Sequence, residues 1–584
     1  MDSFYAFDVL MTMYEDQGYA KREAANSIIQ NNLFGLEIDR RAFQLSYFSL
    51  MMKLRRYDRQ ALNRSVMPNI HVFIAAPAVT EEFLHSLKAS SEVIDEIQDI
   101  AAHFMDAKTL GSIIELPANY DYAGMRNALE PVATAQKISL FGNQQTAQQL
   151  LEIIATAETM TQRYDVVVTN PPYLNKMNST LKKYVKKHYK DYSADLFSVF
   201  IWHNINMTKV NGYAGYMTPF VWMFIKSYEK LRTALLSNVK IDSLIQLEYS
   251  AFEEATVPIN TFVLKNTKND ETGTYLRLSD FKGGMMIQAE KVQEAIADPG
   301  VKYLYRTNQT IFNSLPGQVL SYWLSSKIVS CFDRLPQVQE YFAPKVGIQT
   351  GDNTRFYKNW YEISTESPKN WVKANKNGDY RRWYGNCIQL IDWSNSGQQI
   401  KEIQQSVVRN EQFYFREGVS WSNITSSELL SARYIPKGMV FDQTVPMMFE
   451  KDAEPLFNIL GFLNSKVALE FGKAISPTMH FNTGELSKYP YRQLGINSSI
   501  TDIVSRNVDV CRYDWDTQEI SWSFSCSFWI QHIAEHTVLV ICHIHRRISK
   551  IRVTAKHPFK KLATWWHKIQ NVPKKCQTFG LGGH

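Results

Sequence analysis

Tyr164-Asp165-Val166-Val167-Val168-Thr169 runs directly into Asn170-Pro171-Pro172-Tyr173, and this junction restricts the fold more than any other stretch of the chain. The β-branched run predicts a strand covered on both faces, the kind that occurs in α/β sheets. The two prolines fix φ and remove two backbone donors, so the chain leaves the strand through a stiff loop whose carbonyls are free to accept. Ligands of open α/β sheets bind beyond the carboxyl ends of strands, where this loop stands. Without such placement, Asn-Pro-Pro is an ordinary turn signal.

The surrounding pattern agrees with a sheet of this type. Apolar residues at helical spacing predict helices over 4–28, 41–54, 81–106, 145–160, 194–207 and 220–237. Strands are predicted at 33–39 (ending in Glu37 and Asp39), 71–74, 164–169, 215–218, 241–247 and 259–264, the last two forming a closing antiparallel pair. From about residue 275 Trp, Tyr, Asn and Gly become frequent and the periodicity weakens, which predicts a second, α+β domain of mixed strands and loops over 276–524. The last 60 residues change texture again, with seven of the thirteen histidines and a single acid, Glu535.

Charge does not support nucleic-acid binding directly. Ten Lys and Arg in residues 525–584 account for the whole net charge of +7, and the first 524 residues are slightly acidic. No apolar run approaches the roughly 20 residues that span a bilayer, and Met1-Asp2-Ser3-Phe4-Tyr5 lacks the basic start of a secretory signal. The six cysteines follow no metal or disulfide spacing, so a cytoplasmic chain without a metal site and without a membrane partner is expected.

The loop residues suit one kind of chemistry. The Asn170 amide oxygen and the Pro171 carbonyl can each accept a hydrogen bond from an exocyclic amine, turning the nitrogen lone pair toward an electrophilic methyl group. Tyr173 can stack on a base rotated out of a duplex. Upstream, Glu37 ends a strand, where an acid can accept both ribose hydroxyls of a nucleoside cofactor; a solvated strand end is the plain alternative.

Longer segments carry a resemblance. Gly212-Tyr213-Ala214-Gly215-Tyr216-Met217-Thr218-Pro219 and Ala251-Phe252-Glu253-Glu254-Ala255-Thr256-Val257-Pro258 resemble amino-type, S-adenosylmethionine-dependent DNA methyltransferases, most of all the PglX-type adenine-specific enzymes of BREX phage-defence systems. So do Gly347-Ile348-Gln349-Thr350-Gly351-Asp352-Asn353-Thr354-Arg355-Phe356, Arg381-Arg382-Trp383-Tyr384-Gly385-Asn386, Phe415-Arg416-Glu417-Gly418 and Leu463-Asn464-Ser465. The resemblance runs over residues 4–523 and implies a Rossmann-like class I methyltransferase domain (1–275) followed by a target-recognition domain (276–524). It implies Asn170, Pro171, Pro172 and Tyr173 as catalytic residues and Tyr173 with Phe252 as the base clamp. Glu37, Asp39, Ser112, Ile113 and Asn170 would contact the cofactor. Gln349, Asp352, Asn353, Arg355, Arg381, Arg382 and Trp383 would read DNA.

Two departures from the family follow. A strand and a glycine-rich loop of the Asp-Pro-Ala-Cys-Gly-Ser-Gly kind precede the first helix in relatives, whereas this sequence enters that helix from Met1-Asp2-Ser3. The expected methyltransferase domain is therefore incomplete, its first strand and glycine loop missing, with two strands left unpaired where the absent one would lie. Residues 525–584 resemble nothing in the family and read as a tail out of frame with what precedes it; a basic DNA-binding or metal-binding extension using Cys526, His532, His536, Cys542, His543 and His545 is the alternative. The expected function is methyl transfer from S-adenosylmethionine to adenine N6 in double-stranded DNA, with base flipping, in phage defence beside other BREX-system proteins. The alternatives are a catalytically dead DNA-binding fragment and an N4-cytosine methyltransferase.

Overall fold

The computed structural model describes residues 2–525, apart from 65, 136–141, 250, 253–256, 269–270, 365, 377, 424–429, 476–480 and 496–498. The expected tail therefore lies outside the described residues. The chain divides into two units, residues 1–336 with 470–478, and residues 337–469 with 479 onward.

The first unit begins with helix α1 (Asp2–Asp16) and a second helix, Lys21–Ser27. The single helix predicted over 4–28 is thus interrupted, at Gly18, by a turn. Strands β1 (Phe34–Glu37) and β2 (Asn69–Val72) pair in parallel, Phe34 opposite Asn69, with helix α2 (Arg40–Tyr57) between them in sequence. Helices α3 (Ser91–His103), α4 (Tyr122–Ala133) and α5 (Asn143–Thr161) pack into a core around Ile100, Phe104, Ile113, Leu129 and Ile154. Pro131 inside α4 hid that helix from the periodicity reading.

A six-stranded sheet follows, in the order β3-β4-β6-β5-β7-β8, from Tyr164–Thr169 (β3), Thr208–Pro219 (β4), Lys240–Gln246 (β5), Ile259–Lys265 (β6), Thr272–Arg277 (β7) and Leu304–Asn308 (β8). β3 and β4 are parallel; β6 with β5 forms the predicted antiparallel pair, and β6 also runs antiparallel to β4. Helix α6 (Ser179–His188) follows the loop begun by Asn170–Tyr173, and α7 (Leu196–Met207) returns the chain to β4, burying Phe197, Ile201 and Ile205 at i, i+4 and i+8 beside Tyr216, Trp222 and Phe262. The helix predicted over 220–237 starts only at Glu229, after two short 3-10 turns.

Two expectations are corrected here. β3 is not covered on both faces: Val166 and Val168 are 58% and 60% exposed. The strand stands at the end of its sheet, and α7 packs along it without enclosing both sides. The expected domain boundary at 275 falls inside β7, which pairs with β5 and β8, and the first unit continues to Pro336.

The second unit holds two four-stranded sheets, β10-β12-β11-β15 and β14-β13-β16-β9, built from Phe342–Lys345 (β9), Tyr357–Asn359 (β10), Trp371–Asn375 (β11), Gln389–Asp392 (β12), Gly418–Ser420 (β13), Arg433–Ile435 (β14), Met439–Phe441 (β15) and Met447–Glu450 (β16). Ile348, Phe356, Ile391, Phe441 and Phe449 form its core. Gly347 allows β15 to approach: a Cβ there would lie 1.9 Å from the Phe441 carbonyl oxygen. Helices α8 (Leu456–Leu463) and α9 (Ser499–Asp516) pack together against the strands.

Candidate active site

Asn170 stands at the carboxyl end of β3, where Val168 and Thr169 are held by Gly215 and Tyr216 of β4. Pro171 is buried and wedges the loop against the sheet, while Asn170 and Pro172 are exposed. The Tyr173 hydroxyl has two acceptors for its one proton, Asn170 Oδ1 at 3.0 Å and, farther off, the Met217 carbonyl at 3.3 Å. The Tyr173 ring meets Phe197 edge-on at 6.4 Å, and partial burial raises its phenol above the usual tyrosine range. Asn170 Oδ1, the expected amine acceptor, thus already accepts a donor hydrogen, on a loop fixed by prolines.

Glu37 ends β1. Its Oε1 accepts the backbone N–H groups of Ile38 and Asp39, at 2.8 and 3.0 Å, which sets the plane of the carboxylate. Asp39 also has a structural role. Its Oδ1 accepts from the amides of Arg41 and Ala42, so it is the N-cap of α2, and those bonds hold its carboxyl below the usual range. The 111–113 turn lies beside this corner: a Cβ on Gly111 would be 3.3 Å from Ile38 Cδ1. The structure therefore brings Glu37 and Ser112 into one neighbourhood. Ile113 points into the core, fully buried, and is not a surface a ligand reaches. Ile38, 47% exposed, is the apolar side chain at that edge, between two acids whose sequence signal is stronger than its own.

The turn is held from below by α6 and α7. Tyr189 donates to the Ile113 carbonyl at 2.9 Å and accepts from His203 Nδ1 at 3.0 Å. Tyr184 donates no bond to this turn but accepts the Glu115 amide N–H at 2.8 Å, and His188 pairs with the Glu115 carboxylate at 3.0 Å. Burial, aided by the nearby Arg163 charge, depresses His203 to about 4, so it is neutral, with Nε2 enclosed and without a described hydrogen-bond partner.

Phe252 packs beside Leu247, Ala251 and Ile259. Met217, whose carbonyl lies within reach of the Tyr173 hydroxyl, packs against the same cluster. The loop 253–256 after Phe252 lies outside the described residues.

In the second unit the expected DNA-reading residues separate into two groups. Gln349 and Asn353 line a cavity of about 190 Å³ with Thr350, Gly351, Lys376, Asp442 and Gln443. Asn353 Oδ1 accepts from Thr350 and Lys376, both at 2.9 Å, and Lys376 also pairs with Asp442 at 3.3 Å. Asp352 caps the short helix Asn353–Phe356, and the exposed Arg355 donates to Gln399 at 2.9 Å. Arg381 is tied to Asp514 at 3.1 Å and lies over Trp515; Arg382 donates to the side chain and carbonyl of Asn464. Trp383, at φ +71°, exchanges backbone bonds with Ala432 and Tyr434. These three tie the 381–383 segment to the helices and strands around it.

Comparison with known proteins matches residues 31–252 to the Eco57I restriction-modification methylase family. The chain is 34% identical over 563 residues to the adenine-specific methyltransferase PglX of Lacticaseibacillus casei (strain Zhang), covering 91% of this chain and 46% of the relative. It is 30% identical over 565 residues to the adenine-specific methyltransferase BrxX of Escherichia coli O9:H4 (strain HS), covering 90% of this chain and 46% of the relative. It therefore spans about half the length of the curated relatives it matches. Among solved structures, the Type ISP restriction-modification enzyme LlaGI in complex with a DNA substrate mimic aligns with 87% of this chain and 43% of its own, at 9% identity and a TM-score of 0.48.

Proposed function

We propose that this chain, a homologue of the PglX-type adenine-specific methyltransferases over nine tenths of its length, contributes the catalytic loop and the target-reading unit of a DNA N6-adenine methyltransferase used in phage defence. One observation carries the reading: Asn170 Oδ1, at the carboxyl end of a parallel strand, is presented as a hydrogen-bond acceptor beside an aromatic ring. An adenine amine entering the site would replace the Tyr173 hydroxyl on Asn170, with the Pro171 carbonyl as its second acceptor. Two oriented acceptors localise the nitrogen lone pair, and their cost of orientation is met by the proline loop before the base arrives. The Tyr173 ring, with Phe252 across the strand end, would hold the flipped base.

The residues around Glu37 fit a nucleoside cofactor. The carboxylate is oriented by two backbone amides and can accept ribose hydroxyls, Ile38 offers an apolar face to a base, and Gly111 leaves the approach open. S-adenosylmethionine would supply the electrophilic methyl group there. The second unit would select the target through the polar cavity at Gln349 and Asn353, and through Arg355. Other BREX-system proteins are its expected partners, and adenine is favoured over cytosine N4 by the relatives alone. No described helix is long and apolar enough to cross a membrane.

The test is incubation of the purified chain with tritiated S-adenosylmethionine and unmodified host DNA, followed by nucleoside mass spectrometry. N6-methyladenine supports the reading. N4-methylcytosine would replace its substrate, and DNA retention without cofactor binding or methyl transfer would leave a DNA-binding fragment.

A further inference from the structure

Asp195 stands 22 residues beyond Tyr173, at the N-terminus of α7, and is 7% exposed. A capping carboxylate ordinarily spends its best bonds on the first amides of its own helix. Asp195 Oδ1 does reach the Phe197 amide, at 3.3 Å, but its shorter bond, 2.8 Å, accepts the amide N–H of Leu174 in the catalytic loop. The Leu174 carbonyl in turn accepts the Leu196 N–H at 3.2 Å. Both backbone groups of Leu174, the residue after Tyr173, are therefore pinned to the start of one helix. The next residue of that helix, Phe197, is fully buried, meets the Tyr173 ring edge-on and stacks on Tyr228 at 5.4 Å.

Few backbone bonds hold the loop besides these. Pro171 and Pro172 have no N–H to give, and among the described backbone amides of residues 171–176 only that of Leu174 has a described partner. From this we infer that Asp195 is a positioning residue, which acts through Leu174 to aim Tyr173 and, with it, the acceptor oxygen of Asn170. The inference rests on the methyltransferase reading for its consequence but not for its geometry. A carboxylate in this place does two things at once. It satisfies the buried amide of the loop, and it is itself stabilised by the positive end of α7, so the loop and the helix move together.

The experiment compares the full chain with Asp195→Ala and Asp195→Asn. Asn keeps the Oδ1 acceptor at nearly the same shape and loses only the charge. Hydrogen–deuterium exchange of the peptide covering residues 171–178 needs no turnover. Asp195→Ala should accelerate it about tenfold or more while β4–β6 stay protected, and Asp195→Asn should restore most of the protection. In methyl transfer, Asp195→Ala should lower kcat by about tenfold or more with KM for S-adenosylmethionine within about twofold, since the displaced groups face the base. Unchanged exchange at 171–178 in a folded Asp195→Ala, or an Asp195→Asn as fast as Asp195→Ala, overturns the assignment. Absence of methyl transfer from the unsubstituted chain would instead count against the methyltransferase reading, and the exchange result would still decide the role of Asp195.

Discussion

The phenolic hydroxyl of Tyr173 donates to Asn170 Oδ1 at 3.0 Å, three residues back along the same loop. On the proposed reading, an amide oxygen that would later accept an amine is thus kept satisfied and oriented by its neighbour. Breaking one neutral, partly exposed hydrogen bond costs about 1 kcal/mol, within reach of what a stacked base returns. Tyr173→Phe should therefore leave methyl transfer within about threefold of the unsubstituted chain, because the ring remains and the acceptor is released. Asn170→Ala removes the acceptor itself and should lower kcat about 10²–10³-fold, as loss of one preorganised polar group does at comparable sites. Initial rates on a DNA substrate check both; a Tyr173→Phe loss as large as that of Asn170→Ala would show that the hydroxyl acts in the reaction.

Glu37 should govern cofactor affinity without touching the chemistry of the base. Its Oε1 is engaged by the Ile38 and Asp39 amides, which leaves the rest of the carboxylate to meet a ligand. Glu37→Ala removes a charge-assisted acceptor, a loss of about 1.5–3 kcal/mol, or roughly 10- to 150-fold in Kd for S-adenosylmethionine. Asp39→Ala should instead lower the melting temperature, since Asp39 caps α2. Titration calorimetry beside thermal unfolding separates the two acids, and a Glu37→Ala chain that binds as well as the unsubstituted one would remove Glu37 from the site.

How far the site could be read in advance depends on which atoms carry the signal. Asn170 to Tyr173 and Glu37 were legible because a strand end followed by special residues has a local signature. Asp39 also caps a helix and Ile113 lies in the core, and neither placement has a signature that separates it in sequence from a ligand beside a strand or turn. Asp195 carried no signal at all: its partner, Leu174, lies 21 residues away, and only the fold brings them together. The exposed face of β3 was equally hidden, since the sequence reports β-branched residues but not whether another element covers them.

His203 should make the first unit less stable as the pH falls. Its folded value of about 4 lies below the ordinary histidine value of 6.5, so the native state binds fewer protons than the unfolded chain between those limits. Stability is then full above about pH 6.5 and declines toward pH 4, by up to about 1.4 kcal/mol per pH unit from this group. The protonated ring would also face the Arg163 charge, while Tyr189 and the 111–113 turn would have to shift around it. Urea unfolding at pH 7.5, 6 and 5 should show a smaller slope for His203→Gln than for the unsubstituted chain. Equal slopes would place the titration elsewhere.

The two groups of residues in the second unit should respond oppositely to substitution. Arg382 donates to Asn464, whose amide in turn exchanges bonds with both backbone groups of Ala432; Arg382→Ala takes from the buried Asn464 backbone carbonyl its described side-chain donor. That should cost about 1–3 kcal/mol of stability, with DNA affinity per folded molecule little changed. Gln349 holds β-bridge bonds to Val407 through its backbone, so Gln349→Ala keeps them and removes only the side chain that lines the cavity. It should leave urea unfolding within about 0.5 kcal/mol of the unsubstituted chain. If the cavity reads a base edge, the same substitution weakens binding to a cognate duplex by about 1–3 kcal/mol and binding to unrelated DNA hardly at all. Fluorescence anisotropy with cognate and scrambled duplexes at fixed salt measures that difference. An equal loss on both would make Gln349 a backbone-contacting residue, and a stability loss on Gln349→Ala would make the cavity wall structural, as the Arg382–Asn464 tie already is.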